Sequence, residues 1–139
     1  MTILSHSEEE TRQVGYRLGK LCKPGTVISL RGSLGAGKTV LAKGLAQALG
    51  ITEQIVSPTF TLIQEYEGTL PLFHMDLYRI SGTDEFEGIG GEELLYSDGV
   101  TLIEWSEKIA EMLPDSTLYV DIRIMPNQDR AITLQGVAL

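Results

Sequence analysis

The sequence predicts an α/β layer fold, and three observations carry that expectation. Short β-branched runs alternate with stretches whose apolar residues recur at helical spacing. One such run, Thr26 to Arg31, feeds a glycine-rich turn that opens directly into a helical stripe. Near the end, Leu118, Val120, Ile122 and Ile124 alternate with polar neighbours and face residues 131–135 across Pro126-Asn127-Gln128-Asp129, the pattern of a closing hairpin. Strands and helices mixed about a central turn imply a mostly parallel central sheet covered by helices.

The 139 residues fit a single domain spanning 1–139. Hydrophobic residues make up 42% and charged residues 22%, the mix of a chain with a real core. Eleven basic against nineteen acidic residues give a net charge of −8. A free-standing nucleic-acid binder needs a basic footprint that this chain lacks, so nucleic acid would be met only through a partner. An anionic membrane surface is disfavoured for the same reason. The single cysteine, Cys22, excludes an internal disulfide and fits a reducing compartment. The start is acidic and has no apolar signal-peptide core, and the longest uncharged stretch, Gln54 to Gln64, is too short and polar to span a bilayer. A cytoplasmic location is the expectation.

Taken in order, Ser7 to Cys22 reads as a helix. Ser7 and Glu10 have capping-box spacing, and Val14, Leu18, Leu21 and Cys22 share a face. Pro24 and Gly25 end it. Thr26 to Arg31 reads as a buried strand. After the glycine turn, Leu41, Leu45, Ala48 and Leu49 mark a second helix stopped at Gly50. Residues 57–61 form a loop entering a strand at Leu62 to Tyr66, and Leu70 to Tyr78 is another strand, with Leu72, His74 and Asp76 on one face. Glycines and acids between Ile80 and Asp98 suggest loops around short helical turns. Val100 to Ile103 is a compact strand ending in Glu104, and Trp105, Ile109, Met112 and Leu113 form a helical stripe closed by Pro114.

The turn Gly32-Ser33-Leu34-Gly35-Ala36-Gly37-Lys38-Thr39 fits G-x-x-x-x-G-K-T, between a predicted strand and a predicted helix. That context makes it a P-loop, and the domain P-loop NTPase-like. Gly32, Gly35 and Gly37 allow close backbone approach to a polyphosphate. The amides of residues 34–39, including Leu34, Gly35, Ala36 and Gly37, form an anion nest at the positive end of the following helix. Lys38 reaches the terminal phosphates, and the Thr39 hydroxyl suits a magnesium ion.

Such a loop needs an acid at a neighbouring strand tip. Asp76 and Glu104 are the candidates, and the sequence leaves open which one ligates metal. His74, two residues before Asp76, is a candidate to orient it or to meet a substrate or partner; the alternative is a half-buried strand histidine. Thr59 and Thr61 are candidate γ-phosphate sensors, against ordinary turn chemistry beside Pro58. No Asn-Lys-x-Asp or Asp-x-x-Gly motif for guanine proteins is present, which favours ATP. His6, His74 and Cys22 have no zinc spacing, and Gly88-Ile89-Gly90-Gly91 does not fit a dinucleotide motif. Alternatives to an ATPase are a small-molecule kinase, for which a cluster of lid arginines is missing, and a non-catalytic ATP-sensing module.

These motifs together resemble the TsaE family, the bacterial ATPases of tRNA threonylcarbamoyladenosine biosynthesis. The resemblance runs through Glu10-Thr11, residues 34–39, Ser57 to Leu62, His74 to Arg79, Ile103-Glu104-Trp105 and Arg130. It implies a compact P-loop domain that binds ATP with Mg2+ and hydrolyses it, slowly when alone. It also implies a partner complex, a metal-dependent transferase with its pseudo-enzyme companion, which ATP hydrolysis resets between turnovers. By the same resemblance Lys38 and the loop amides hold phosphates, Thr39 and Glu104 ligate magnesium, and Asp76 positions water or acts as base. Thr11 and Arg130 lie near the nucleoside, and Trp105, Tyr78 and Arg79 serve partner contact or closure. Ser106 stands where the family commonly has proline, a departure that bears on the start of the following helix.

Overall fold

Apolar residues at alternate positions make strands that bury one face, and continuous apolar runs make strands buried on both. Val27–Leu30 and Val100–Ile103 are of the second kind, and they take the middle of the sheet. The structure is a computed structural model and describes residues 1–33, 35–56, 58 and 62–139. In chain order the elements are β1 (Thr2–Ser5), α1 (Glu8–Leu21), β2 (Val27–Gly32), α2 (Lys38–Ala48), β3 (Ile63–Tyr66), β4 (Leu72–Asp76), α3 (Thr83–Gly88), α4 (Gly91–Leu95), β5 (Val100–Glu104), β6 (Leu118–Ile124) and β7 (Arg130–Gln135). A 3₁₀ helix, Ser106–Met112, follows β5.

The strands form one seven-stranded sheet in the order β1-β7-β6-β2-β5-β4-β3. Its centre is parallel, with β4 beside β5, β5 beside β2 and β2 beside β6. Both margins are antiparallel: β3 runs against β4, β6 against β7, and β7 against β1. The parallel centre and the C-terminal hairpin are as the sequence predicts. Val14 and Leu18 of α1 and Leu41 and Leu45 of α2 bury one face against Ile28, Leu30, Leu102 and Val120. Phe86, Leu95 and Ile109 cover Val27, Met75 and Ile103 on the other. Glycine-rich residues 80–98 resolve into the two short helices α3 and α4.

Three details depart from the sequence reading. The first residues form β1, paired from Thr2↔Thr133 to Ser5↔Arg130. Four edge residues carry too little periodicity to announce a strand whose partner lies at the far end of the chain. Leu21 is exposed rather than part of the buried α1 face, because the helix ends there and the chain turns away at Cys22. The stripe after Glu104 is not one continuous α-helix. It is a 3₁₀ segment kinked at Ile109, and Trp105 precedes it with φ +61°, 41% exposed.

Candidate functional site

The P-loop is shaped by local backbone demands. Gly35 and Gly37 have φ of +80° and +111°, a region that disfavours side chains. Gly37 is the N-cap of α2 and supplies no side-chain cap, so the first amides of α2 are left for another acceptor. Arg130, at the start of β7, grips the loop from behind. Its Nε donates to the Ala36 carbonyl at 2.9 Å and a terminal nitrogen donates to the Gly35 carbonyl at 3.3 Å. A trans peptide puts C=O and N–H on opposite sides, so the Gly37 amide points away from Arg130. Thr11 backs the same loop, its buried hydroxyl 2.7 Å from that of Ser5. Thr11, Arg130 and Gly35 to Gly37 line a cavity of about 240 Å³ together with His6 and Gln128. His6 closes its rim on Asp129 at 2.8 Å.

Parallel register brings the two acids together. Glu104 lies opposite Leu30 on β2 and opposite Asp76 on β4, so the two carboxylates stand at the carboxyl ends of β5, beside the P-loop strand, and of β4, one strand further out. Lys38, Thr39, Asp76, Tyr78, Arg79, Glu104 and Trp105 line one cleft of about 810 Å³ with Gly32, Gly35 and Gly37. Inside it, Lys38 Nζ lies 3.2 Å from Glu104 Oε1. Asp76 Oδ1 accepts the Tyr78 amide at 3.0 Å, which fixes the turn at the strand tip. Tyr78 and Trp105 meet at the mouth with ring centroids 5.0 Å apart.

His74 does not orient Asp76, nor does it face a substrate or partner. It is fully buried, and its Nε2 lies 2.9 Å from Oε2 of Glu104. Residues on one strand face point the same way, but His74 sits opposite Leu102, which makes Glu104 its diagonal neighbour. Burial alone would push the Glu104 carboxyl up. The hydrogen bond from His74 and the Lys38 ammonium more than offset it, leaving the carboxyl below its ordinary value. The Glu104 carboxyl is therefore ionised at neutral pH, as its pairing with Lys38 requires. Leu34, Thr59 and Thr61, together with Ser57 and Phe60, lie outside the described residues.

Sequence reasoning missed the joint that sets Glu104. Trp105 turns the chain through the left-handed region, and Ser106 then points inward, its hydroxyl 2.5 Å from that of Ser29 on β2. Both serines are fully buried. This bond ties the Glu104 corner to the strand that feeds the P-loop, and proline at 106 could not make it. Ser29→Ala leaves the Ser106 hydroxyl without that partner and is expected to lower stability by about 1–3 kcal/mol in urea melts. Adding Ser106→Ala should recover part of the loss, because the orphaned group is then gone.

Among the described residues, no group of three or more His, Cys, Asp or Glu side chains is arranged to hold a metal. Among the described residues, the side-chain oxygens that line the cleft include the Glu104 and Asp76 carboxylates and the Thr39 hydroxyl. That set does not suit zinc. It does fit magnesium, which takes hard oxygens, keeps several waters and is commonly shared with phosphate.

A family model described as threonylcarbamoyl adenosine biosynthesis protein TsaE matches residues 5–132. The tRNA threonylcarbamoyladenosine biosynthesis protein TsaE of Treponema pallidum (strain Nichols) is 44% identical over 134 residues, covering 96% of this chain and 99% of that one. The protein of the same name from Bacillus subtilis (strain 168) is 45% identical over 130 residues, covering 93% and 81%. The crystal structure of Bacillus subtilis YdiB superposes with a TM-score of 0.81 at 40% identity, covering 99% of this chain and 86% of that one.

Proposed function

Since the chain belongs to the TsaE family of threonylcarbamoyl adenosine biosynthesis proteins, we propose that it is a magnesium-dependent ATPase. In this reading it is an accessory subunit in tRNA threonylcarbamoyladenosine modification, where ATP hydrolysis resets a partner transferase complex made of a metal-dependent transferase and its pseudo-enzyme companion. One observation carries the chemistry: Lys38 at the P-loop helix start and Glu104 at a strand tip meet at 3.2 Å in a cleft that Asp76 also lines.

The P-loop amides and the positive end of α2 bind the phosphates. Lys38 moves from Glu104 to the terminal phosphates, where it offsets charge developing on the transferred group. Thr39 and Glu104 would hold magnesium, which neutralises phosphate charge when bound. Asp76 orients the attacking water and accepts its proton. Thr11 and the Arg130 region form the nucleoside side of the site. Tyr78, Trp105 and Arg79 at the mouth are the surface offered to the partner complex. With a net charge of −8, the chain meets tRNA only through that complex, in the cytoplasm.

Purified protein given ATP and Mg2+ should release inorganic phosphate, faster when the partner proteins are added. Asp76→Asn should keep nucleotide binding while slowing release by about 10²–10⁴-fold, the usual worth of a positioned base. A phosphorylated metabolite in place of free phosphate would make the protein a kinase. Full partner function in cells with Asp76→Asn would make it a nucleotide sensor.

A further inference from the structure

Among the described residues, Nδ1 of His74 is the buried side-chain nitrogen or oxygen left with no hydrogen-bond partner. The other ring nitrogen lies 2.9 Å from Glu104 Oε2. An ionised carboxylate only accepts, so the proton of that bond sits on Nε2. The geometry therefore makes Nε2–H the donor to Glu104. It also divides the carboxylate: Oε2 is tied to the sheet, and Oε1 faces Lys38 at 3.2 Å.

We propose that His74 is a positioning residue, whose Nε2–H holds Oε2 of Glu104 so that Oε1 alone is offered to a divalent cation in the cleft. This rests on the reading of the cleft as a magnesium–nucleotide site. Lys38 and the cation are then alternative partners of one oxygen, and the ammonium that leaves Oε1 is the one the phosphates need. Without His74 the carboxylate is free to turn, and Oε1 is no longer held toward the cation. Ligand carboxylates and histidines fixed by such outer hydrogen bonds typically lose about 10–100-fold in metal affinity when the support is removed.

The test measures binding of a non-hydrolysable ATP analogue by calorimetry across a Mg2+ titration. His74→Leu removes the donor with little change in bulk. It should raise the half-saturating Mg2+ concentration about 10–100-fold and leave magnesium-free nucleotide binding unchanged. His74→Gln, whose amide N–H can reach the same oxygen, should restore the wild-type Mg2+ dependence. A folded His74→Leu protein with the wild-type Mg2+ curve overturns the proposal. A second readout needs no ligand: ¹⁵N spectra of the ligand-free wild-type imidazole should show a proton on Nε2. A proton on Nδ1 instead overturns the positioning role alone. If His74→Leu does not fold, the glutamine variant decides: a Mg2+ curve shifted as far as the expected loss overturns the proposal. A wild-type protein whose nucleotide binding ignores Mg2+, while its ring shows the Nε2 proton, overturns the magnesium–nucleotide reading and the cation half of this proposal with it.

Discussion

Lys38→Ala is expected to lower magnesium-dependent phosphate release by about 10²–10³-fold, the cost of losing one preorganised group aimed at transition-state charge. Lys38 is the first residue of α2, so its ammonium lies at the positive end of that helix, where the proposed function puts the phosphates. A phosphate-release assay at saturating ATP, with circular dichroism to confirm folding, checks this. Undiminished turnover in a folded variant would remove the P-loop from the mechanism. The same substitution carries a second signature. The Glu104 carboxyl is held below its ordinary value of 4.5, and Lys38 is one of the groups holding it there. A depressed carboxyl contributes stability that is present above the unfolded value and lost as pH falls through the folded one. The stability gap between wild type and Lys38→Ala should therefore be open at neutral pH and narrow as pH drops below about 4.5.

How much of this was visible in the residues follows from how local each determinant is. The P-loop was legible because its glycines, lysine and threonine act within eight consecutive positions flanked by a strand and a helix. Asp76 and Glu104 were legible as strand-end acids, since apolar runs stop beside them. Their neighbourhood to one another was not, because β4 and β5 are brought side by side only by the sheet order. His74 shows the cost of reading one strand alone. Alternation placed it on the face of Asp76, whereas lateral register aimed it at Glu104. Arg130 is similar: a strand-start arginine in sequence, it becomes a clamp on Gly35 and Ala36 because the hairpin folds back beside β1. Ser106 stood out only as a departure from the family's proline; its bond to Ser29 was not legible, since it spans 77 positions.

Gly44→Ala is expected to destabilise the protein more than other small-residue changes, although it adds a single methyl group and improves helix propensity. A Cβ at Gly44 would stand 1.9 Å from the carbonyl oxygen of Arg12 and 2.9 Å from the amide nitrogen of Tyr16. The contact is reciprocal, because a Cβ at Gly15 would stand 2.0 Å from the Leu41 carbonyl oxygen. These neighbours are backbone atoms of a packed helix and have no rotamer to change, so α1 and α2 must move apart. Separation uncovers Leu18, Leu41 and Leu45, all fully buried. Overpacking of this kind typically costs about 1–3 kcal/mol and occasionally more. The gain in helix propensity, about 1 kcal/mol, offsets only part of it. Gly88→Ala is the control: α3 ends there and a Cβ meets nothing within 4 Å. That variant should match or slightly exceed the wild type in chemical denaturation, while Gly44→Ala falls well below it. Since α2 carries Lys38 and Thr39 on its first turn, the Gly44 variant should also bind nucleotide more weakly at temperatures where it is still folded. Equal denaturation midpoints for the two variants would mean that the helices do not pack as closely as these distances require.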